Sequence, residues 1–261
     1  MKLFFYCKYN KNKLGDIMDS LGDRMKGYEN INRIYLTKRM PAIIRVDGKA
    51  FHTFTKGFKK PYDDIFNKTM WETARYLCNN IEGCKIGYVQ SDEISLLLTD
   101  YENINTESWF GKNIQKMVSI SASLATLSFN REFKIISNGS EPYIKKYDTA
   151  IFDSRVFVLP IEEVCNYFIW RQQDATRNYI LSVGQSEFSH KKLNNKSCND
   201  IQDMLFIEKQ INFNDFPIFK KRGISIVKET FEKDKAIRSK WSYDLDIPIF
   251  TANREYIEKF L

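Results

Sequence analysis

Ala42-Ile43-Ile44-Arg45-Val46-Asp47-Gly48-Lys49-Ala50-Phe51 is an apolar run that ends in an acid and a glycine. Residues 42–47 read as a buried strand, and Gly48 as a sharp exit from it. A carboxylate at such a strand end can face a cleft, with backbone N–H groups of the turn beside it. Two readings fit these letters. Asp-Gly is a common turn pair, and the same pair can present oxygen ligands at the mouth of a site. The second acidic stretch, Ser91-Asp92-Glu93, follows another apolar run and bears on the choice.

Upstream, Ile17, Leu21 and Met25 lie four apart, one stripe of a helix over 16–28 with Asp16 as its cap. Pro41 separates that helix from the first strand. Downstream, 48–61 reads as a loop. Asp63 and Asp64 suit a helix N-terminus, and Phe66, Met70, Ala74, Leu77, Cys78 and Ile81 recur at helical spacing before Gly83. Residues 84–89 and 94–98 are two strands joined by the tight turn Gln90-Ser91-Asp92-Glu93, a hairpin with acids at its tip. A second helix is expected over 109–129, where Met117, Ser121 and Ala125 suit close packing on a sheet, and a fourth strand over 152–159.

The order β-α-β-β-α-β is the split βαβ, ferredoxin-like unit. It predicts an α+β fold, an antiparallel sheet with helices on one face, of the kind used as the palm of polymerases and nucleotide cyclases. Beyond Pro160 the character changes. Helices are expected over 162–189, over 197–209 with Ser197 and Asp200 as a capping box, and over 253–261. Ile224 to Val227 is a β-branched run, and 228–240 alternates charges and reads as exposed. The expected organisation is a palm catalytic domain with an N-terminal helix over 1–160. A mainly helical, basic region over 161–261 contributes to RNA binding.

The 261 residues carry a net charge of +7, which favours a polyanionic partner such as nucleic acid, although a merely lysine-rich surface gives the same sum. The five cysteines (Cys7, Cys78, Cys84, Cys165, Cys198) contain no CxxC pair, and His52 and His190 are the only histidines. That speaks against a structural zinc site and for reduced thiols. The apolar start at Leu3 is too short for a secretory signal, and no run approaches the ~18 apolar residues of a membrane span. A soluble, cytoplasmic protein without a membrane partner is expected.

Asp47 and Asp92 are the strongest metal-ligand candidates, because two carboxylates on adjacent strands can share Mg²⁺ ions. The Gly48 carbonyl is a third donor, and the backbone amides from Lys49 to His52 could cradle a triphosphate. Glu93 stays open among three roles: metal ligand, holder of a lysine behind the metal, or bystander. Ser91 either meets a phosphate or finishes the turn. Lys116 either reaches phosphates or is a solvated helix lysine, and His52 either contacts the nucleotide or is structural. For RNA phosphates the candidates are Arg171, Arg177, Lys191, Lys192, Lys220, Lys221 and Arg222, each equally able to be a solvated charge.

Several motifs resemble, in order, those of the tRNA(His) guanylyltransferase superfamily, the 3′-to-5′ polymerases. They are Gly22-Asp23-Arg24-Met25-Lys26-Gly27-Tyr28-Glu29, Arg45 to His52, Lys60-Pro61-Tyr62-Asp63, Gln90 to Ser95, Phe152 to Val156 and Tyr167 to Asp174. The resemblance implies a catalytic Asp47, Asp92 and Glu93, with two Mg²⁺ on Asp47, the Gly48 carbonyl and Asp92. It implies nucleotide contacts at Asp47, Gly48, Lys49, Ala50, Phe51, His52, Lys60, Ser91, Asp92 and Lys116. It further implies ATP and GTP as substrates, tRNA as partner and a homotetramer. Family enzymes restricted to tRNA(His) carry His-Ile-Asn-Asn after the Arg-Gln-x-Asp motif. Here that place reads Ala175-Thr176-Arg177-Asn178, keeping only Asn178. The departure resembles the bacterial and archaeal "like" proteins and implies template-dependent repair of tRNA 5′ ends. The alternatives are a tRNA(His)-specific guanylyltransferase, a nucleotide cyclase and a non-catalytic RNA-binding protein.

Overall fold

The computed structural model describes residues 20–234 and 236–261. Cys7 and the expected helix start at Asp16 and Ile17 lie outside the described residues. Helix α1 (Leu21–Ile31) begins at Ser20, whose Oγ accepts the Asp23 N–H at 3.2 Å. The chain divides after Ile34 into two units, and the sheet and the helices after α1 lie in the unit Tyr35–Leu261.

That unit runs β1 (Ala42–Gly48), α2 (Phe51–Phe54), α3 (Asp64–Asn80), β2 (Cys84–Gln90), β3 (Glu93–Leu98), α4 (Ile114–Ser137) and β4 (Phe152–Val158). It continues with α5 (Ile161–Glu187), α6 (His190–Leu193), α7 (Cys198–Lys209), α8 (Ile218–Arg222), β5 (Ile224–Lys233), β6 (Ala236–Asp244) and α9 (Glu255–Glu258). The strands form one six-stranded sheet in the order β4-β1-β3-β2-β5-β6, with every neighbouring pair antiparallel. The register sets Asp47 opposite Glu93 on one side and opposite Asp153 on the other.

Three expectations change. Helices cover both faces of the sheet, not one. Ala42, Ile44 and Val46 pack in a cluster with residues of α3 and α4, while Ile43 and Leu97 pack with Val164 and Phe168 of α5. Continuous apolar runs mark strands buried on both faces, and β3 is buried at all six positions. Second, the region after 160 supplies two strands to the same sheet, because β5 pairs with β2. Residue 160 therefore separates no independent sheet. Residues 228–234 and 236–240 of the charged stretch are exposed, as the outer part of the β5–β6 hairpin. Third, α4 starts at Ile114 rather than near 109. Phe110 and Gly111 take left-handed conformations (φ 49° and 59°), and Asn113 caps the helix by accepting the Lys116 N–H at 2.9 Å. No described helix is long and apolar enough to cross a membrane.

The first face is aromatic. Phe129 lies at the centre of a ring cluster with Phe51, Phe54, Phe66, Phe133 and Phe152, at centroid distances of 5.4, 5.6, 6.1, 5.5 and 5.4 Å. Offset and edge contacts of this kind add to the burial of each ring. The cluster anchors α2, and so the turn after β1.

Candidate active site

At the end of β1 the chain must turn sharply. Gly48 N–H donates to the Asp92 carbonyl at 3.1 Å, which joins the two acidic stretches through the backbone. A Cβ on Gly48 would lie 2.4 Å from the Phe51 ring, so only glycine fits there. Ala50 is left-handed (φ 55°), and Phe51 then drops into the aromatic cluster at 3% exposure. Phe51 is thus an anchor beneath the turn, and it also forms part of the cleft floor. The Lys49 N–H is taken by the Ile151 carbonyl at 2.8 Å, so the expected cradle narrows to Ala50, Phe51 and His52. The first N–H groups of a helix have no intrahelical acceptor.

Ser91 and Asp92 form the two-residue turn between β2 and β3, with Gln90 opposite Glu93 and Ser91 left-handed at φ 48°. Burial, and next the neighbouring Asp47, push the Asp92 carboxyl up to about 6. Asp47 is also raised, first by burial and then by Asp153, with Arg155, Arg45 and Arg171 pulling the other way. Asp47 thus helps to raise Asp92, while the acid that raises Asp47 is Asp153, partly offset by the three arginines. Asp47, Asp92 and the Gly48 carbonyl are hard oxygen donors, the set that suits Mg²⁺ completed by phosphate and water. Among the described residues no His, Cys, Asp and Glu side chains gather in threes as a ready-made cage.

These groups open onto a cleft of about 560 Å³. Asp47, Gly48, Ala50, His52, Lys60, Ser91 and Asp92 line it, together with Asn178 and Lys220 from the far wall. The loop carrying Lys60 is fastened by Asp63, which accepts the N–H groups of Lys59 (3.0 Å) and Phe66 (2.9 Å) and the Tyr143 hydroxyl (2.8 Å).

Other expected residues lie elsewhere. Lys49 and Lys116 are exposed and do not line the cleft, and Lys116 Nζ sits 5.9 Å from the Phe110 ring. Glu93 is buried against Arg171 at 2.7 Å, so neither residue faces free solvent. Arg171 is a correction, since a cation 5% exposed offers nothing to an RNA backbone. Arg177 pairs with Asp174 at 3.1 Å, Lys192 with Glu208, and Lys221 Nζ donates to the Asn214 carbonyl at 2.6 Å. Lys191 is exposed on α6, and the Arg222 carbonyl accepts the Tyr88 hydroxyl at 2.5 Å.

Sequence reasoning singled out Lys220 and the stretch from Ala175 to Asn178 but missed the aromatic part of the far wall. Tyr62, Trp71, Ala175, Tyr179 and Phe219 line the cleft. Trp71 and Phe219 meet edge to face at 5.7 Å, and Lys220 Nζ lies 4.5 Å from the Tyr62 ring. Trp71 lies four residues after Asn67, off the apolar stripe of α3, which was the one local signal.

A model of the family described as tRNAHis guanylyltransferase matches residues 22–160. The tRNA(His) guanylyltransferase of Debaryomyces hansenii is 31% identical over 72% of this chain and 73% of its own. A bacterial tRNA(His) guanylyltransferase-like protein solved in complex with ATP superposes with a TM-score of 0.84, at 51% identity over 92% of this chain and 98% of that one. One solved in complex with GTP gives 0.79 and 49%, over 93% and 99%. The site geometry and these likenesses together make this chain a member of the tRNAHis guanylyltransferase family, a family of nucleotidyltransferases.

Proposed function

We propose that the protein adds nucleotides in the 3′-to-5′ direction to tRNA 5′ ends, directed by the opposing base, and so repairs truncated tRNAs. The sheet serves as a polymerase palm. The observation that carries the reading is the Asp47–Asp92 pair, joined through Gly48, at the mouth of a cleft of about 560 Å³. The ATP- and GTP-bound relatives support nucleoside triphosphates as its occupants.

Asp47, Asp92 and the Gly48 carbonyl are the residues that would hold two Mg²⁺ ions. When bound, such ions neutralise phosphate charge and lower the pKa of an attacking hydroxyl. Burial and the neighbouring Asp47 raise the Asp92 carboxyl, a strain that a bound cation would relieve. The amides of Ala50 to His52 donate to phosphate oxygens, with Lys60 and Ser91 on either side. In the first step a 5′-monophosphate oxygen of the RNA attacks the α-phosphorus of ATP, and pyrophosphate leaves. The 3′-hydroxyl of an incoming nucleotide such as GTP then attacks the RNA 5′-phosphate, and AMP leaves. Pyrophosphate is finally hydrolysed from the new end. The assembly would be a homotetramer in the cytoplasm, with Arg177, Lys191 and Lys220 among its RNA contacts.

The name of the Debaryomyces relative supports a second reading, guanylate addition restricted to tRNA(His). The test supplies each nucleotide in turn to full-length tRNA(His) and to a panel of tRNAs lacking their 5′ nucleotide. Extension across the panel that follows base pairing is expected. Addition confined to tRNA(His) selects the second reading. RNA binding that survives EDTA without incorporation, or a cyclic product from GTP alone, overturns both.

A further inference from the structure

Arg171 sits in the middle of α5 with 5% exposure. Its Nη1 donates to Glu93 Oε2 at 2.7 Å, and its Nη2 lies 3.3 Å from Asp174 Oδ2. The guanidinium lies over the Trp170 ring at 3.7 Å. Glu93 is 8% exposed and also faces Arg45 Nε at 3.8 Å. Burying ions costs several kcal/mol each before pairing offsets it. A cation meant for RNA would not be enclosed in this way.

The pair grips one point of the chain. Glu93 follows Asp92, opens β3, and sits opposite Asp47 in the register. The preceding turn is strained, because Ser91 has φ 48°, a left-handed conformation that costs a non-glycine residue about 1–2 kcal/mol. Such conformations persist where the surroundings over-determine them. The Ser91-Asp92 turn is tied on one side through the Asp92 carbonyl to Gly48 N–H at 3.1 Å. Glu93 ties the other side to α5. Glu93 Oε1 and Arg171 Nε are buried without hydrogen-bond partners, so the clamp holds by one short contact rather than a fork on a single carboxylate.

We propose that Arg171 is a positioning residue for nucleotide addition: by clamping Glu93 to α5 it fixes the Ser91-Asp92 turn and the direction in which Asp92 faces Asp47. The proposal rests on Asp47 and Asp92 being the reacting centre. It makes Glu93 the other half of the clamp. It also gives a reason for arginine over lysine, since two nitrogens in one plane reach Glu93 and Asp174 at once.

The test uses Arg171→Lys, Glu93→Gln and the double variant in the full chain. It measures kcat, and KM for GTP and for a truncated tRNA. Mn²⁺ binding is measured separately by electron paramagnetic resonance without nucleotide. Each single variant should lower kcat by about ten- to a hundredfold, the cost of a small misplacement of a reacting group. KM for tRNA should stay within about threefold, and Mn²⁺ binding should weaken about tenfold. The double variant should be no worse than the worse single one, because both remove one contact. Leu205→Ala, fully buried in a separate cluster, serves as a control that lowers stability and keeps kcat.

A folded variant with kcat within about twofold of the parent overturns the clamp. So does a loss expressed as a higher KM for tRNA with Mn²⁺ binding unchanged, which would make Arg171 an RNA contact. Should Arg171→Lys fail to fold, the isosteric Glu93→Gln carries the same measurements. If the parent itself adds no nucleotide, the activity reading fails. The Mn²⁺ titration then decides the clamp alone, and unchanged affinity in the variants overturns it.

Discussion

The two faces of the sheet are built by the same strands and do different work. Toward α3 and α4, β1 presents Ala42, Ile44 and Val46 to a cluster dominated by phenylalanines. Toward α5 it presents Ile43, then Arg45, then Asp47, because side chains alternate along a strand. Antiparallel β3 repeats the gradient in reverse, with Leu97, Ser95 and Glu93 on that side. The face toward α5 is therefore apolar at one end and charged at the other, where the cleft opens. The face toward α3 and α4 stays apolar throughout this stretch. A period of two lets one strand be scaffold on one side and proposed reacting edge on the other. The dry side makes the charged side possible, since Phe51 anchors the turn that carries Asp47 and Gly48.

The division of labour predicts separable losses. Asp47→Ala and Asp92→Ala should each lower nucleotide addition on the order of a thousandfold or more while leaving the fold intact, measured by single-turnover kinetics and circular dichroism. Activity retained by both would end the two-metal assignment. On the dry face, Phe129→Ala should cost about 3–5 kcal/mol in urea unfolding, since Phe129 is fully buried among other rings. An effect below about 1 kcal/mol would show that this face is not the scaffold.

Gly48→Ala joins the two faces. Its methyl group would collide with the Phe51 ring at 2.4 Å, so a stability loss of about 1–3 kcal/mol is expected together with lost activity. If the collision is the cause, the Phe51→Leu background should soften the added cost of the methyl group.

Asp92 should cost stability for the sake of its position. Its carboxyl is raised to about 6, first by burial and then by Asp47. It therefore holds its proton more tightly folded than unfolded. The stability it contributes is complete below about pH 4 and is lost as pH rises through about 6. Without divalent ions, Asp92→Asn should be more stable than the parent at pH 7, by about 1–2 kcal/mol, and the gap should close toward pH 4. A thermal-melt series over pH checks the sign. Arg177→Ala should do least. Arg177 is 64% exposed at its side chain and pairs with Asp174 on its own helix, so stability should move by less than about 0.5 kcal/mol. If Arg177 touches RNA phosphate, the salt slope of tRNA binding should fall by about one.

Much of the scaffold is legible without coordinates. The alternation at β1, the two-residue hairpin at Ser91-Asp92 and the stripe from Phe66 to Ile81 are neighbour-to-neighbour patterns. The structure keeps Asp63 as the cap of α3 and the Ser197–Asp200 capping box. The second face was not legible. The stripe of α5 shows that it is buried, not which surface buries it. Strand β5 was disguised because Ile224 to Val227 runs into the charged, exposed part of the hairpin. Arg171 looked like an RNA contact because its charge is local information, whereas its partner Glu93 lies 78 residues away.

By itself, the sequence determined the strand that ends in Asp47-Gly48, the acidic hairpin tip and the periodicity of the helices between them. These follow from side-chain alternation and turn preferences, which act over a few residues. Only the tertiary structure decided that α5 covers the opposite face, that β5 and β6 extend the sheet, and that Glu93 and Arg171 close on each other. Those are choices among distant partners. Burial makes them, because a charge taken out of water must find its counter-charge wherever the packed chain brings one within reach.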